Sequence, residues 1–380
     1  MKNNQTKINI LDPNLSSINF YNYKFYDSIK DYKNLKIFGN TRIEAKIEKL
    51  FEVEKIFDFE LNPRVNNNYI QHYAYTKKKF LNCLKKIKLE KGPILLYNST
   101  LTYIDGLIEW AIEKKIKNKI YIEYPTILHK PINSKLKFEK KRCIQIKKKI
   151  IKNNNINFIS HFEYSSSQII NLFGKKPKIC SIPLDIKNYK IEKKIEKNNK
   201  LITIGFVGEQ RVMKGLNIVK KIIFNIPTYN KIKIHNPTNN IEINKLNIKN
   251  FKNIKIIKTK FNLKGWLNFL SKIDIIIFPY NMNRYKFGYS ATLIDSILLK
   301  KICIVPANTI LSSLLLRKNS KITNFNSWNE YSILNTINNC IKKFSLLKFE
   351  TEKQKKNFLK IQNKYPTILK LINNENKKIL

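Results

Sequence analysis

The chain has 380 residues, 43% of them hydrophobic, and a formal net charge of +46. That length suggests two domains, each able to bury its own core. All but six of the 73 basic residues are lysine, so the charge lacks the arginines that bidentate phosphate and guanine recognition favours, and no specific nucleic-acid reader is indicated.

The start, MKNNQTKINILDPN, holds no apolar run of signal-peptide length, and no uninterrupted apolar run of about 18 residues follows anywhere. Short β-branched runs predict strands at 7–11, 35–38, 53–59, 93–97, 119–124, 157–160 and 178–182, with helices over 68–88, 102–115 and 135–153 between them. A second series of strands is expected at 201–208, 231–235, 253–257, 274–280 and 302–306. Apolar strands alternating with helices indicate parallel βαβ units. The polar stretch 185–200, DIKNYKIEKKIEKNNK, reads as a linker between two domains. Residues 352–380 read as helix interrupted near Tyr365-Pro366, because proline disfavours the helical conformation of the residue before it.

Two stretches can carry chemistry. In LITIGFVGEQRVMKGLNIVKKI, 201–222, a strand runs into Gly208, Glu209 and Arg211 follow, and a helix opens near Lys214-Gly215. Glycine lets backbone approach a ligand, a helix start favours an anion, and two basic side chains add charge there. In 274–309 a strand ends at Pro279-Tyr280, a loop carries Arg284, Tyr285, Gly288 and Tyr289, and Ser290 is a good N-cap for a helix that holds Asp295. Each stretch also reads as an ordinary strand-to-helix turn, with Asp295 complementing a helix dipole.

Together these stretches resemble the donor half of the group 1 glycosyltransferases. Gly208 stands six residues before Lys214-Gly215, Pro279-Tyr280 occupies the loop, and Asp295-Ser296 stands where that family has Glu-Ala. Ser181 to Asp185 and Ile10 to Pro13 look like its approach to the linker and its opening loop. The resemblance implies the GT-B fold, two doubly wound parallel-sheet domains of α/β class facing across a cleft. Residues 1–185 would be the acceptor side, 186–345 the nucleotide-sugar side, and 346–380 a helical tail packing back on the amino half. It implies a retaining, metal-independent transferase that moves a sugar from a nucleotide-sugar donor to a glycan or lipid-linked acceptor, and no cofactor. Arg211 and Lys214 would neutralise the departing diphosphate. Asp295 would bind the ribose, with Gly208, Glu209, Gly215, Pro279, Tyr280, Gly288, Tyr289 and Ser290 around the donor. Phe287 stands where the family has its first glutamate, which keeps a catalytically degenerate sugar-nucleotide binder as an alternative. A basic nucleic-acid-binding protein is the rival from another class.

In the amino half Asn98, Ser99, Thr100, Tyr124, His129, His161 and Glu163 follow predicted strands and are candidates for the acceptor side. Asp58-Phe59-Glu60 has the spacing of a divalent-cation site but lies in an apparent strand with no third ligand. Five scattered cysteines, Cys83, Cys143, Cys180, Cys303 and Cys340, support neither a disulfide framework nor a zinc site, and suit a cytoplasmic protein. The lysine-rich segment 136–153 reads as a helix with one apolar stripe. Its lysine face is either solvated or set against an anionic membrane, to which binding would be peripheral.

Overall fold

The computed structural model describes residues 7–15, 20–43, 45–59, 69–124, 133–189 and 201–377. The chain divides into two compact units, Met1–Leu184 with Lys364–Leu380, and Asp185–Asn363.

The first unit runs β1 (Ile8–Leu11), α1 (Phe20–Ile29), β2 (Leu35–Asn40), α2 (Ala45–Glu48), β3 (Val53–Phe57), α3 (Tyr69–Lys86), β4 (Ile94–Leu96), α4 (Leu101–Glu113), β5 (Ile120–Glu123), α5 (Asn133–Ile151), β6 (Ile156–Ser160), α6 (Ser166–Phe173) and β7 (Lys178–Ile179). Among the described residues its sheet has seven parallel strands in the order β3-β2-β1-β4-β5-β6-β7. Side chains alternate across a strand. Ile94, Leu96, Ile120 and Ile122 therefore enter the core on one face, and Leu95 and Tyr121 the core on the other. Apolar residues at every position are what a parallel sheet covered on both sides requires.

On one face α3 and α4 approach closely at Gly106, where a β-carbon would meet the Phe80 ring at 2.8 Å. The neighbouring Asp105 is 1% exposed. It accepts from the Tyr73 hydroxyl at 3.0 Å and pairs with Lys77 at 3.0 Å and with Arg142 of α5. Burial pushes its carboxyl up, but the Arg142 hydrogen bond and the Lys77 charge outweigh this and hold it below the usual carboxylate range. One acid thus ties three helices together.

The second unit runs β8 (Thr203–Phe206), α7 (Leu216–Ile222), β9 (Lys231–His235), α8 (Ile241–Asn244), β10 (Ile254–Ile257), α9 (Leu263–Ser271), β11 (Ile275–Ile277), α10 (Ala291–Leu298), β12 (Ile302–Pro306), α11 (Ile310–Ser313), β13 (Asn324–Phe325), α12 (Glu330–Lys342) and α13 (Phe344–Gln362). Among the described residues six parallel strands stand in the order β10-β9-β8-β11-β12-β13. Ile204, Ile232, Ile275, Ile277, Ile302 and Ile304 fill one face.

The tail divides between the units, which corrects the expectation that 346–380 packs as a whole on the amino half. α13 stays with the second unit. There Asn357 donates to the Leu316 carbonyl at 2.8 Å, and Glu350 accepts from Asn319 at 2.6 Å. Only α14 (Ile368–Lys377), beyond the Pro366 break, joins the first unit. Its Ile368, Leu369 and Ile372 are buried beside Tyr97 and Tyr121, and Glu375 accepts from the Tyr121 hydroxyl at 2.7 Å and pairs with Lys178. Among the described residues no helix is long and apolar enough to cross a membrane.

Candidate functional site

In an open parallel sheet, ligands bind beyond the carboxyl ends of the strands where the order reverses. In the second unit that point lies between β8 and β11. After β8 the chain turns at Gly208, whose φ of 87° is the left-handed region glycine tolerates, and no atom lies within 4 Å of where its β-carbon would be. Glu209 then pairs with Arg211. A 3-10 turn, Val212–Lys214, leads through Gly215 at φ 85° into α7.

The amides of Lys214 and Leu216 donate to the Arg211 carbonyl and that of Gly215 to the Val212 carbonyl. The turn thus occupies the amides of Lys214, Gly215 and Leu216, so at these three positions an anion would be met by side chains.

The loop after β11 closes against this turn. A β-carbon on Gly215 would overlap the Pro279 carbonyl oxygen and lie 2.7 Å from its ring, so only glycine lets the two segments meet. The Asn281 amide donates to the Met213 carbonyl at 3.1 Å, and Trp328 Nε1 donates to the Pro279 carbonyl at 2.8 Å. Lys214 Nζ stands 5.6 Å from the ring centre of buried Tyr280, which packs at 4.4 Å on Tyr285. Burial and Tyr280 push the Tyr285 hydroxyl up, while Lys214, Arg284 and Arg211 draw it down. Those three cations lie within electrostatic reach of one phenol, Arg211 while paired with Glu209.

Arg284 had a visible signal, a basic residue five positions after Pro279, but its reach to Tyr285 along with Lys214 depends on how the loop folds. Gly288 is buried and Tyr289 half-buried in the same loop, and Ser290 caps α10 by accepting from the Leu293 amide at 3.4 Å.

Asp295 departs from its expected role. It is 1% exposed. Its Oδ1 accepts from the Tyr189 hydroxyl at 2.6 Å and its Oδ2 from Trp266 Nε1 at 3.1 Å. Each oxygen thus accepts a hydrogen bond inside the unit, which gives Asp295 a structural role there. The partner Tyr189 ends a short 3-10 segment, Ile186–Tyr189, of the stretch read as linker. The rest of that stretch, 190–200, lies outside the described residues.

In the first unit the order reverses between β1 and β4. Beyond those strands Asn98, at φ 50°, donates its amide to Glu123 Oε2 at 2.9 Å, and its carbonyl accepts from Asn14 at 3.2 Å. The Asn14 amide donates to Asp12, as does the Tyr26 hydroxyl, each at 3.0 Å. Burial nevertheless raises the Asp12 carboxyl to about 7. Buried His161 lies 3.6 Å from Glu123, and its pKa falls to about 4 because burial outweighs hydrogen bonds to the backbone of Cys180 and Ser181.

Asn98 thus belongs to a polar cluster. Tyr124 is instead core, 5% exposed, with its ring edge-on to Phe173 at 5.5 Å; burial pushes its hydroxyl up. Glu163 accepts from the Tyr365 hydroxyl. His129 and Glu60 lie outside the described residues. Asp58 is exposed just past β3, with the Cys83 thiol 3.8 Å away. Among the described residues no three acids, histidines or cysteines gather as a metal site.

No protein-family model matches the chain, and no curated protein matches it. Solved structures do. The chain superposes on Anabaena HepE, solved in complex with UDP and glucose, with a TM-score of 0.66 at 13% identity, covering 98% of this chain and 99% of that one. Sucrose-phosphate synthase from Thermosynechococcus elongatus gives 0.70 at 10% identity, covering 98% of each. A glycosyltransferase from Rickettsia africae gives 0.65 at 13% identity, covering 99% and 98%. The fold is GT-B, two parallel-sheet α/β units.

Proposed function

We propose that the protein is a retaining glycosyltransferase that moves a hexose from a nucleotide-diphosphate sugar to a glycan or lipid-linked acceptor, working at the inner face of an anionic membrane in surface-glycan synthesis. The observation that carries this reading is the meeting of the 208–215 turn with the Pro279 loop beyond β8 and β11, which sets Lys214 over Tyr280 and keeps Arg211 and Arg284 within electrostatic reach of the same loop. In transfer, the bond from the anomeric carbon to the diphosphate breaks, a new bond forms to an acceptor oxygen, and the acceptor proton is lost. Negative charge grows on the diphosphate as it leaves. Fixed cations aimed at that charge lower the barrier without reorganising. The HepE complex with UDP and glucose supports the choice of donor class.

Binding to the folded chain raises its stability by mass action. A thermal-shift screen against UDP, GDP, ADP and CMP sugars should give one responsive nucleotide diphosphate. No response to any of them would overturn the reading.

A second reading, a sugar-nucleotide binder without turnover, is favoured by Asp295. Its carboxylate is sequestered by Tyr189 and Trp266, while Phe287 lies under the Lys286 ammonium at 5.6 Å. Binding without donor hydrolysis or transfer across acceptors would select it.

A further inference from the structure

At the carboxyl ends of α4 and α5 the first unit carries a groove of about 800 Å³, with Ile112, Ile116 and Ile151 on its walls and Lys115, Lys148 and Lys152 among its lining residues. Helices of a parallel α/β unit run against their strands. The groove therefore lies at the amino ends of the strands, away from the Asp12 and Asn98 cluster.

Its composition has two halves that water satisfies poorly together. Ile112 is 44% exposed and Ile151 57% exposed, and Ile144, seven residues before Ile151 on the same side of α5, is also 57% exposed. α5 already buries Cys143, Ile146 and Ile150 against the sheet, so this outward apolar face is additional to the core stripe. Lys149 is drawn to Glu109 at 3.7 Å. Among the described residues Lys115, Lys148 and Lys152 form no ion pair.

A small anion would satisfy the lysines and leave the isoleucines in water. An anionic bilayer satisfies both, with acyl chains for the isoleucines and phosphates for the lysines. Lysine ammoniums are point charges without arginine's directional fork, and they suit a diffuse anionic layer better than one fixed carboxylate.

We propose that this groove docks the protein on an anionic membrane, with Lys115, Lys148 and Lys152 on phosphate headgroups and Ile112, Ile116 and Ile151 against acyl chain. The assignment deepens the peripheral placement in the reading above and does not depend on the transfer chemistry.

The test is co-sedimentation of the full chain with phosphatidylglycerol-containing and pure phosphatidylcholine vesicles at about 0.15 M salt. The wild type should partition to the anionic vesicles alone. Lys148→Glu with Lys152→Glu should lower partitioning by more than about 30-fold, since each lysine near headgroups is worth about fivefold and each new carboxylate is repelled. Ile112→Ser with Ile151→Ser, which leaves charge unchanged, should lower it roughly tenfold. Lys249→Glu with Lys252→Glu, exposed positions of the second unit, changes charge equally and should cost much less.

If this control loses as much as the groove pair, or the serine pair binds like wild type, diffuse charge does the binding and the proposal is overturned. If the wild type ignores anionic vesicles, the peripheral reading itself fails. If the groove variants lose poly-glutamate binding but keep vesicle binding, the groove serves an acidic polypeptide and the lipid assignment is wrong.

Discussion

The Tyr189 hydroxyl donates to Asp295 Oδ1 at 2.6 Å across 106 positions of sequence, fastening the segment that enters the second unit to α10. With Trp266 on the other oxygen, Asp295 is a structural anchor. Asp295→Asn leaves one buried donor badly matched and should destabilise the protein by about 1 to 3 kcal/mol, seen as a lower urea midpoint. Replacing a ribonucleoside diphosphate by its 2′-deoxy form should weaken binding equally in wild type and variant. A penalty confined to wild type would restore Asp295 as a ribose ligand.

Lys214→Ala and Arg284→Gln should each weaken nucleoside diphosphate binding roughly 10- to 150-fold, the value of a hydrogen bond to a charged group. The nucleoside should bind all three proteins alike. Glu209→Gln should tighten diphosphate binding by releasing Arg211 from its ion pair. Titration calorimetry reads all of these, and unchanged affinity in Arg284→Gln would remove that residue from the site.

Transfer should survive EDTA. Three cations at the sheet switch point can offset diphosphate charge, and Asp58 stands exposed past β3 in the other unit. Asp58→Asn should keep wild-type turnover. Activity abolished by EDTA and restored by Mn²⁺ would contradict this.

His161 should make stability fall with acid. Its folded pKa of about 4 lies below the ordinary 6.5, so between those values the unfolded chain binds more protons. Its contribution is complete above about pH 6.5 and is lost as pH falls toward 4. In His161→Gln, urea midpoints should decline less steeply over that window. Identical profiles would show that the histidine does not titrate as described.

Most strands were legible because parallel strands buried on two faces write long β-branched runs. β13, with two residues, is too short to leave one. The glycine turns at Gly208 and Gly215 were readable for the same local reason. Asp295 was not, since spacing along a helix does not reveal a tyrosine 106 positions away. Tyr124 was readable in retrospect, because it shares the parity of Ile120 and Ile122, which face the core. Arg284 could be seen as a basic loop residue, but only the folded loop sets it to act on Tyr285 along with Lys214.

The return of α14 to the first unit has a consequence for synthesis. Ile368, Leu369 and Ile372 complete the core around Tyr97 and Tyr121, yet they are made only after the whole second unit. Domains usually fold as they leave the ribosome, the amino-terminal one first. Here the first core stays open on one side until residues 368–372 have left the ribosome, by which point the whole of Asp185–Asn363 has emerged before them. A chain released between Asn363 and Ile368 would therefore have its second unit intact and a first unit that still exposes isoleucine and tyrosine, a form that quality-control proteases recognise.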